Sequence, residues 1–158
     1  VFMHPTDQKW QDDVVTVAVQ QLRQAGFTVD DRPIDVATMF SWRTKKEPVS
    51  AGGWHIFNTG WSGVDLMSPA TNVFMTGACD KAWFGWACDE EMQKLRAAFF
   101  TVQTEEERKD VANKLQARAH DVVPYVSGGQ NLQMAAWRSN VKGIIDAPVQ
   151  ILWNVTKE

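Results

Sequence analysis

The chain has 158 residues, 44% of them hydrophobic and 22% charged, with a formal net charge of −3. That is one domain's worth of sequence, long enough for a core and balanced like an ordinary soluble globular protein. A weakly acidic chain lacks the basic face that nucleic acid or an anionic membrane demands, and no apolar run reaches the roughly 18 residues of a membrane span.

Val1-Phe2-Met3 reads as a strand already under way, with no charged-then-apolar leader before it, so the chain reads as a piece of a longer protein. Phe2-Met3-His4 is the predicted first strand, ended by Pro5-Thr6-Asp7. Asp12 or Asp13 is expected to cap a helix whose apolar face is Val14, Val15, Ala18, Leu22 and Ala25. Gly26 stands where a C′ residue belongs, and Phe27-Thr28-Val29-Asp30 follows as a strand. Strand, helix, Gly and strand in this space form a βαβ unit with parallel pairing.

Asp35 is expected to cap a second helix carrying Val36, Met39, Phe40 and Arg43. Trp54-His55-Ile56-Phe57 reads as a buried strand. It empties into the polar, Gly-bearing stretch Asn58-Thr59-Gly60-Trp61-Ser62-Gly63-Val64-Asp65. Ligands of open α/β sheets bind at the carboxyl ends of strands, so Asn58, Gly60, Trp61, Ser62 and Asp65 are the candidate ligand-binding residues. Cys79 and Cys88 do not fit a CxxC redox or zinc spacing, which leaves a disulfide or two inert thiols. A bridge would close a loop of about ten residues, stabilising by on the order of 2–3 kcal/mol, and would favour an oxidising compartment.

Asp89 is predicted to cap a helix with Glu90 and Glu91 in its first turn and Met92, Leu95 and Phe99 on its buried face. Thr104 and Glu107 have the spacing of a capping box. The helix they open packs through Val111, Ala112, Leu115, Ala119 and Val122. Val123-Pro124-Tyr125-Val126 reads as an edge strand, and the last thirty or so residues, around Gln133–Trp137 and Gln150–Trp153, as strand-like and loop-rich.

Enzyme signatures are missing. There is no GxGxxG, no GxxxxGK[ST] and no GxSxG, and His4, His55 and His120 are scattered. No catalytic residue, cofactor or metal site is expected. Two side chains stand out: Trp61 as an aromatic wall, and Asp65 as a carboxylate opposite a ligand ammonium. The structural alternatives are a Trp61 ring folded on the sheet edge and an Asp65 that merely forms a turn or caps a short helix. Eight Trp against one Tyr fit either a thick core or a recognition surface.

In this order the segments resemble the C-terminal lobe of the family 5 extracellular solute-binding proteins, the periplasmic receptors of ABC importers for peptides, nickel and related solutes. The resemblance is carried by Gln21–Val29, by Asp35–Phe40, by Trp54–Phe57 leading to Gly60-Trp61, by Leu95–Ala98 with Thr104–Pro124, and by Trp137–Gly143. It implies a periplasmic-binding-protein type II-like lobe, a mixed and mostly parallel sheet flanked by helices. Residues 1–158 would form a single domain, with about 126–158 packing against a missing lobe. It further implies a peptide or other small solute as ligand, membrane permease subunits as partners, no direct membrane insertion, and a periplasmic location. In peptide-binding relatives a carboxylate just after the "GW" pair takes the ligand's α-amino group. Its usual place, three residues after the Trp, holds Val64 here, so the role falls to Asp65 by one inserted residue. The Cys79–Cys88 spacing is not general to that family. The competing readings are a ligand-sensing lobe of a signalling protein and an α/β enzyme domain using Asp65, His55 or Asp7.

Overall fold

A computed structural model describes all residues 1–158. The chain divides into two compact units, Val1–Gly60 and Trp61–Glu158, and each is described by itself.

The first unit runs β1 (Phe2–Pro5), α1 (Lys9–Gln24), β2 (Asp31–Ile34), α2 (Val36–Trp42) and β3 (Ile56–Phe57). The strands form a parallel sheet in the order β2-β1-β3, with Phe2 opposite both Asp31 and Ile56. Helices α1 and α2 pack on the central strand. This is the α/β architecture expected of a periplasmic-binding-protein-like lobe, and the βαβ unit is the one read from the sequence. Its core is Phe2, Val15 and Val19, with Ala18, Leu22 and Val29 packed against them.

Three local expectations are corrected. α1 begins at Lys9, and neither Asp12 nor Asp13 caps it, because both carboxylates are engaged elsewhere. Asp13 pairs with Lys9 one turn back, and Asp12 reaches the buried His4, whose Nε2 lies 2.8 Å from Asp12 Oδ1. His4 Nδ1 lies 2.9 Å from Asp31 Oδ1, so one imidazole joins β1, α1 and β2. Strand β2 occupies Asp31–Ile34 rather than residues 27–30. A 16-residue helix advances about 24 Å while a four-residue strand covers about 13 Å, so the chain spends 25–30 returning to sheet level. Pro33 fits there because β2 is an edge strand. His55 precedes β3 instead of lying inside it, and both it and Ile56 are exposed.

Gly26 ends α1 with φ 91°, where a side chain would be strained. Asp35 caps α2 as predicted, its Oδ1 accepting from Thr38 N at 2.8 Å.

The second unit contains α3 (Gly63–Leu66), α4 (Glu90–Phe99), α5 (Glu105–Val122) and a two-residue antiparallel pair, β4 (Val141–Lys142) with β5 (Thr156–Lys157). Helices α4 and α5 pack together around Met75, Met92 and Leu115, with Ala87, Leu95, Ala119 and Val122 at the margin. Both predicted caps form. Asp89 Oδ1 accepts from Met92 N at 2.7 Å, and Thr104 with Glu107 closes a full capping box.

Residues 123–126 are not a strand. Val123 ends α5 in the left-handed region at φ 47°, which turns the chain out of line before Pro124. The stretches around 133–137 and 150–153 form no strands either. Their apolar side chains have no neighbouring strand in this unit to pair with. Leu132, Met134, Leu152 and Trp153 are all exposed.

Candidate ligand-binding site

The predicted site residues fall on both sides of the unit boundary. In the first unit, Asn58 follows β3, and its carbonyl accepts from the buried Gln11 Nε2 at 3.1 Å. The Asn58 Oδ1 atom is buried without a hydrogen-bond partner. A buried acceptor left unmade is costly. Gly60 lies against the Trp10 ring, and a Cβ there would come within 2.9 Å of it. A side chain at position 60 would require the Trp10 ring to shift.

In the second unit, Trp61, Ser62 and Asp65 lie together at α3. Ser62 is the N-cap residue of α3 but makes no side-chain cap, and its carbonyl accepts from Asp65 N at 3.1 Å. The loop after α3 holds the backbone around Asp65. Thr71 Oγ1 donates to Asp65 O at 2.6 Å, and Asn72 Nδ2 donates to Leu66 O at 3.2 Å. Asn72 is fully buried, and its Oδ1 accepts from Phe74 N at 3.0 Å. From α4, Arg96 donates to Pro69 O at 3.0 Å and Ala70 O at 2.9 Å.

The Asp65 carboxylate, by contrast, has no hydrogen bond or ion pair and is half-buried. A fixed backbone presenting an unpaired anion suits charge-assisted recognition of a cation. Its surroundings are apolar, since Trp61, Val64 and Met67 are all exposed beside it. Asp65 sits inside the short helix and does not cap it.

Trp61 lies among other rings of its own unit. Its ring meets Phe74 and Trp83 edge-on, each at a centroid distance of 5.7 Å. Phe74 in turn meets Trp83 at 4.8 Å and Tyr125 at 5.1 Å. The edge-to-face geometry is the one that ring quadrupoles favour. The sequence reading did not place Phe74 and Trp83 beside Trp61, or Tyr125 beside Phe74. The available signal was the Trp83-Phe84-Gly85-Trp86 run placed between two cysteines.

Cys79 and Cys88 are bonded to each other. The arms of their loop also pair through Ala78 and Cys88, with Cys79 N donating to Ala87 O at 3.0 Å. Gly77 passes so close to Asp89 that a Cβ would collide with the Asp89 carbonyl. Asp89 therefore serves three partners. Its amide donates to Gly77 O at 3.2 Å, its Oδ1 caps α4, and both its oxygens take Arg118 from α5, at 3.1 and 2.6 Å. The Arg118 hydrogen bond, aided by that from Met92 N, lowers the Asp89 pKa.

Of the residues named for an enzyme reading, Asp7 is occupied as a structural acceptor for Val36 N at 2.9 Å, and His55 lies exposed just before β3. No helix is long and apolar enough to cross a membrane.

No family model matches the chain. It is similar to a probable peptide ABC transporter periplasmic-binding protein, y4tO, of Sinorhizobium fredii, with 33% identity over 157 residues. The match takes in 99% of this chain but spans only 30% of the relative's length, and it supports a solute-binding-protein family for the chain.

Proposed function

We propose that the chain is the C-terminal lobe of a family 5 periplasmic solute-binding protein, a non-enzymatic receptor that hands peptides to the membrane permease of an ABC importer. The observation that carries this reading is the unpaired Asp65 carboxylate on a pinned loop, flanked by Trp61, Val64 and Met67. The similarity along nearly the whole chain to a probable peptide-binding relative supports the same assignment.

In this account Asp65 accepts the ligand's α-ammonium, and Trp61 covers its apolar flank. Ser62 adds a polar group beside them, and Asn58 and Gly60 are proposed as ligand-binding residues of the first unit. Ligand bridges two lobes, closure buries it, and the closed form docks on the permease. Closure is driven because only the shut state makes both sets of contacts. Residues 126–158 pack against the remainder of the protein, which accounts for exposed apolar groups such as Leu132, Met134 and Trp153.

The test is native mass spectrometry of the natural full-length protein, followed by denaturation and analysis of what it releases. Peptides with free amino termini are the expected result. A released non-peptide solute would remove peptide as the ligand and Asp65 as an amine anchor.

A further inference from the structure

We propose that the disulfide-closed loop 79–88 is a specificity element, in which the Trp83 ring joins Trp61 to form a wall for a side chain on one of the peptide's first two residues. This rests on the reading of Asp65 as the amine anchor.

The loop is held in an uncommon conformation. Cys79 and Trp86 have φ of 54° and 49°, and Gly85 has φ of 104°, a region that side chains other than Gly rarely adopt. Such a backbone persists only where its surroundings over-determine it. Here the fastenings are the disulfide, the Ala78–Cys88 bridge and the Gly77–Asp89 contact.

The loop contributes little to a core. Ala87 alone among its residues packs against the α4–α5 cluster. The cavity beneath the loop, lined in part by Phe74, Trp83 and Pro124, measures about 20 Å³, which is room for roughly one water.

What the fastened loop does achieve is to set Trp83 edge-on to both Trp61 and Phe74. Trp61 lies four positions before the unpaired Asp65 carboxylate and keeps 40% of its surface exposed. An ammonium held at Asp65 places the adjoining peptide side chains beside these rings. The complementary ligand is a peptide with a free amino terminus and an apolar or aromatic side chain at its first or second residue.

The experiment is calorimetry on the natural full-length protein with triglycine, Phe-Gly-Gly and Gly-Phe-Gly. One of the Phe peptides is expected to bind about tenfold tighter than triglycine, the scale of one ring contact with its burial. Trp83→Ala removes that advantage, bringing the Phe peptides to the affinity of triglycine, whereas Asp65→Asn weakens all three. Trp83→Leu, which keeps an apolar side chain, covers the case in which the Ala variant fails to fold and should show a reduced advantage. If no Phe peptide is favoured, or the preference survives the Trp83 substitutions, while Asp65→Asn still weakens all three, the inference is overturned and the anchor reading stands. Absence of binding by all three peptides would remove both.

Discussion

His4 and Asp65 are both polar side chains near apolar surroundings, and their partners separate them. His4 is buried and committed to Asp12 and Asp31, so replacing it with Ala leaves two carboxylates without their imidazole partner. A loss of about 1–3 kcal/mol is expected in denaturant unfolding, and a stability unchanged in His4→Ala would show that the clasp does not hold the sheet. Asp89 acts through charge. Its folded-state pKa lies below the usual carboxylate value because Arg118 and the α4 amide favour the ionised form. The resulting stabilisation is present above the ordinary carboxylate range and lost as pH falls through the depressed folded value. Acid titration followed by circular dichroism should therefore show a fall in stability that Asp89→Asn flattens. Parallel acid profiles for the two proteins would contradict the assignment. Neither His4 contact was legible in the sequence, since the partners lie 8 and 27 residues away and the second depends on how β2 registers against β1. The Asp35, Asp89 and Thr104 caps were legible because a cap is a local motif.

Helices and loops divide in the same way. α2, α4 and α5 were readable because apolar spacing and end signals agree, as in the capping box that opens α5, and α1 was readable from its apolar spacing and the Gly26 stop but not from its cap. Strand β2 was misplaced because Phe27–Asp30 has the better strand composition, while the length of α1 decides where the chain regains the sheet. Val123–Val126 failed for another reason. Its β-branched residues suit a strand, but nothing in that unit offers an edge to it. The pairing of α4 with α5 gives the element-scale prediction. Leu115 is fully buried, so Leu115→Ala should cost about 2–5 kcal/mol through lost burial and a residual cavity. A change below about 0.5 kcal/mol in chemical denaturation would mean that the helices are not held by that core. The candidate site was half legible. The Gly60–Asp65 stretch was found as a loop after a strand, but its ring neighbours come from a segment whose apolar and turn residues show no period.

At the scale of the whole molecule, the distinctive property is an excess of apolar surface. Residues beyond α5 carry Leu132, Met134, Leu152 and Trp153 largely in the open, and their only regular structure is the β4–β5 pair. On the proposed function this stretch packs on further chain; the match spans 30% of the relative's length. In residues 1–158 alone, Trp153 should be quenched freely by acrylamide; in the natural full-length protein it should be shielded. Equal quenching in both would show that the segment is not a docking arm. The central claim concerns the anchor. Calorimetry with a tripeptide and its N-acetylated counterpart, on the natural full-length protein and on Asp65→Asn, tests it most directly. The account predicts that acetylation and Asp65→Asn each weaken binding by roughly tenfold to a hundredfold, and that together they weaken it little further, since both remove the same charge-assisted contact. Equal affinity for the free and acetylated peptides in the unmodified protein would contradict it.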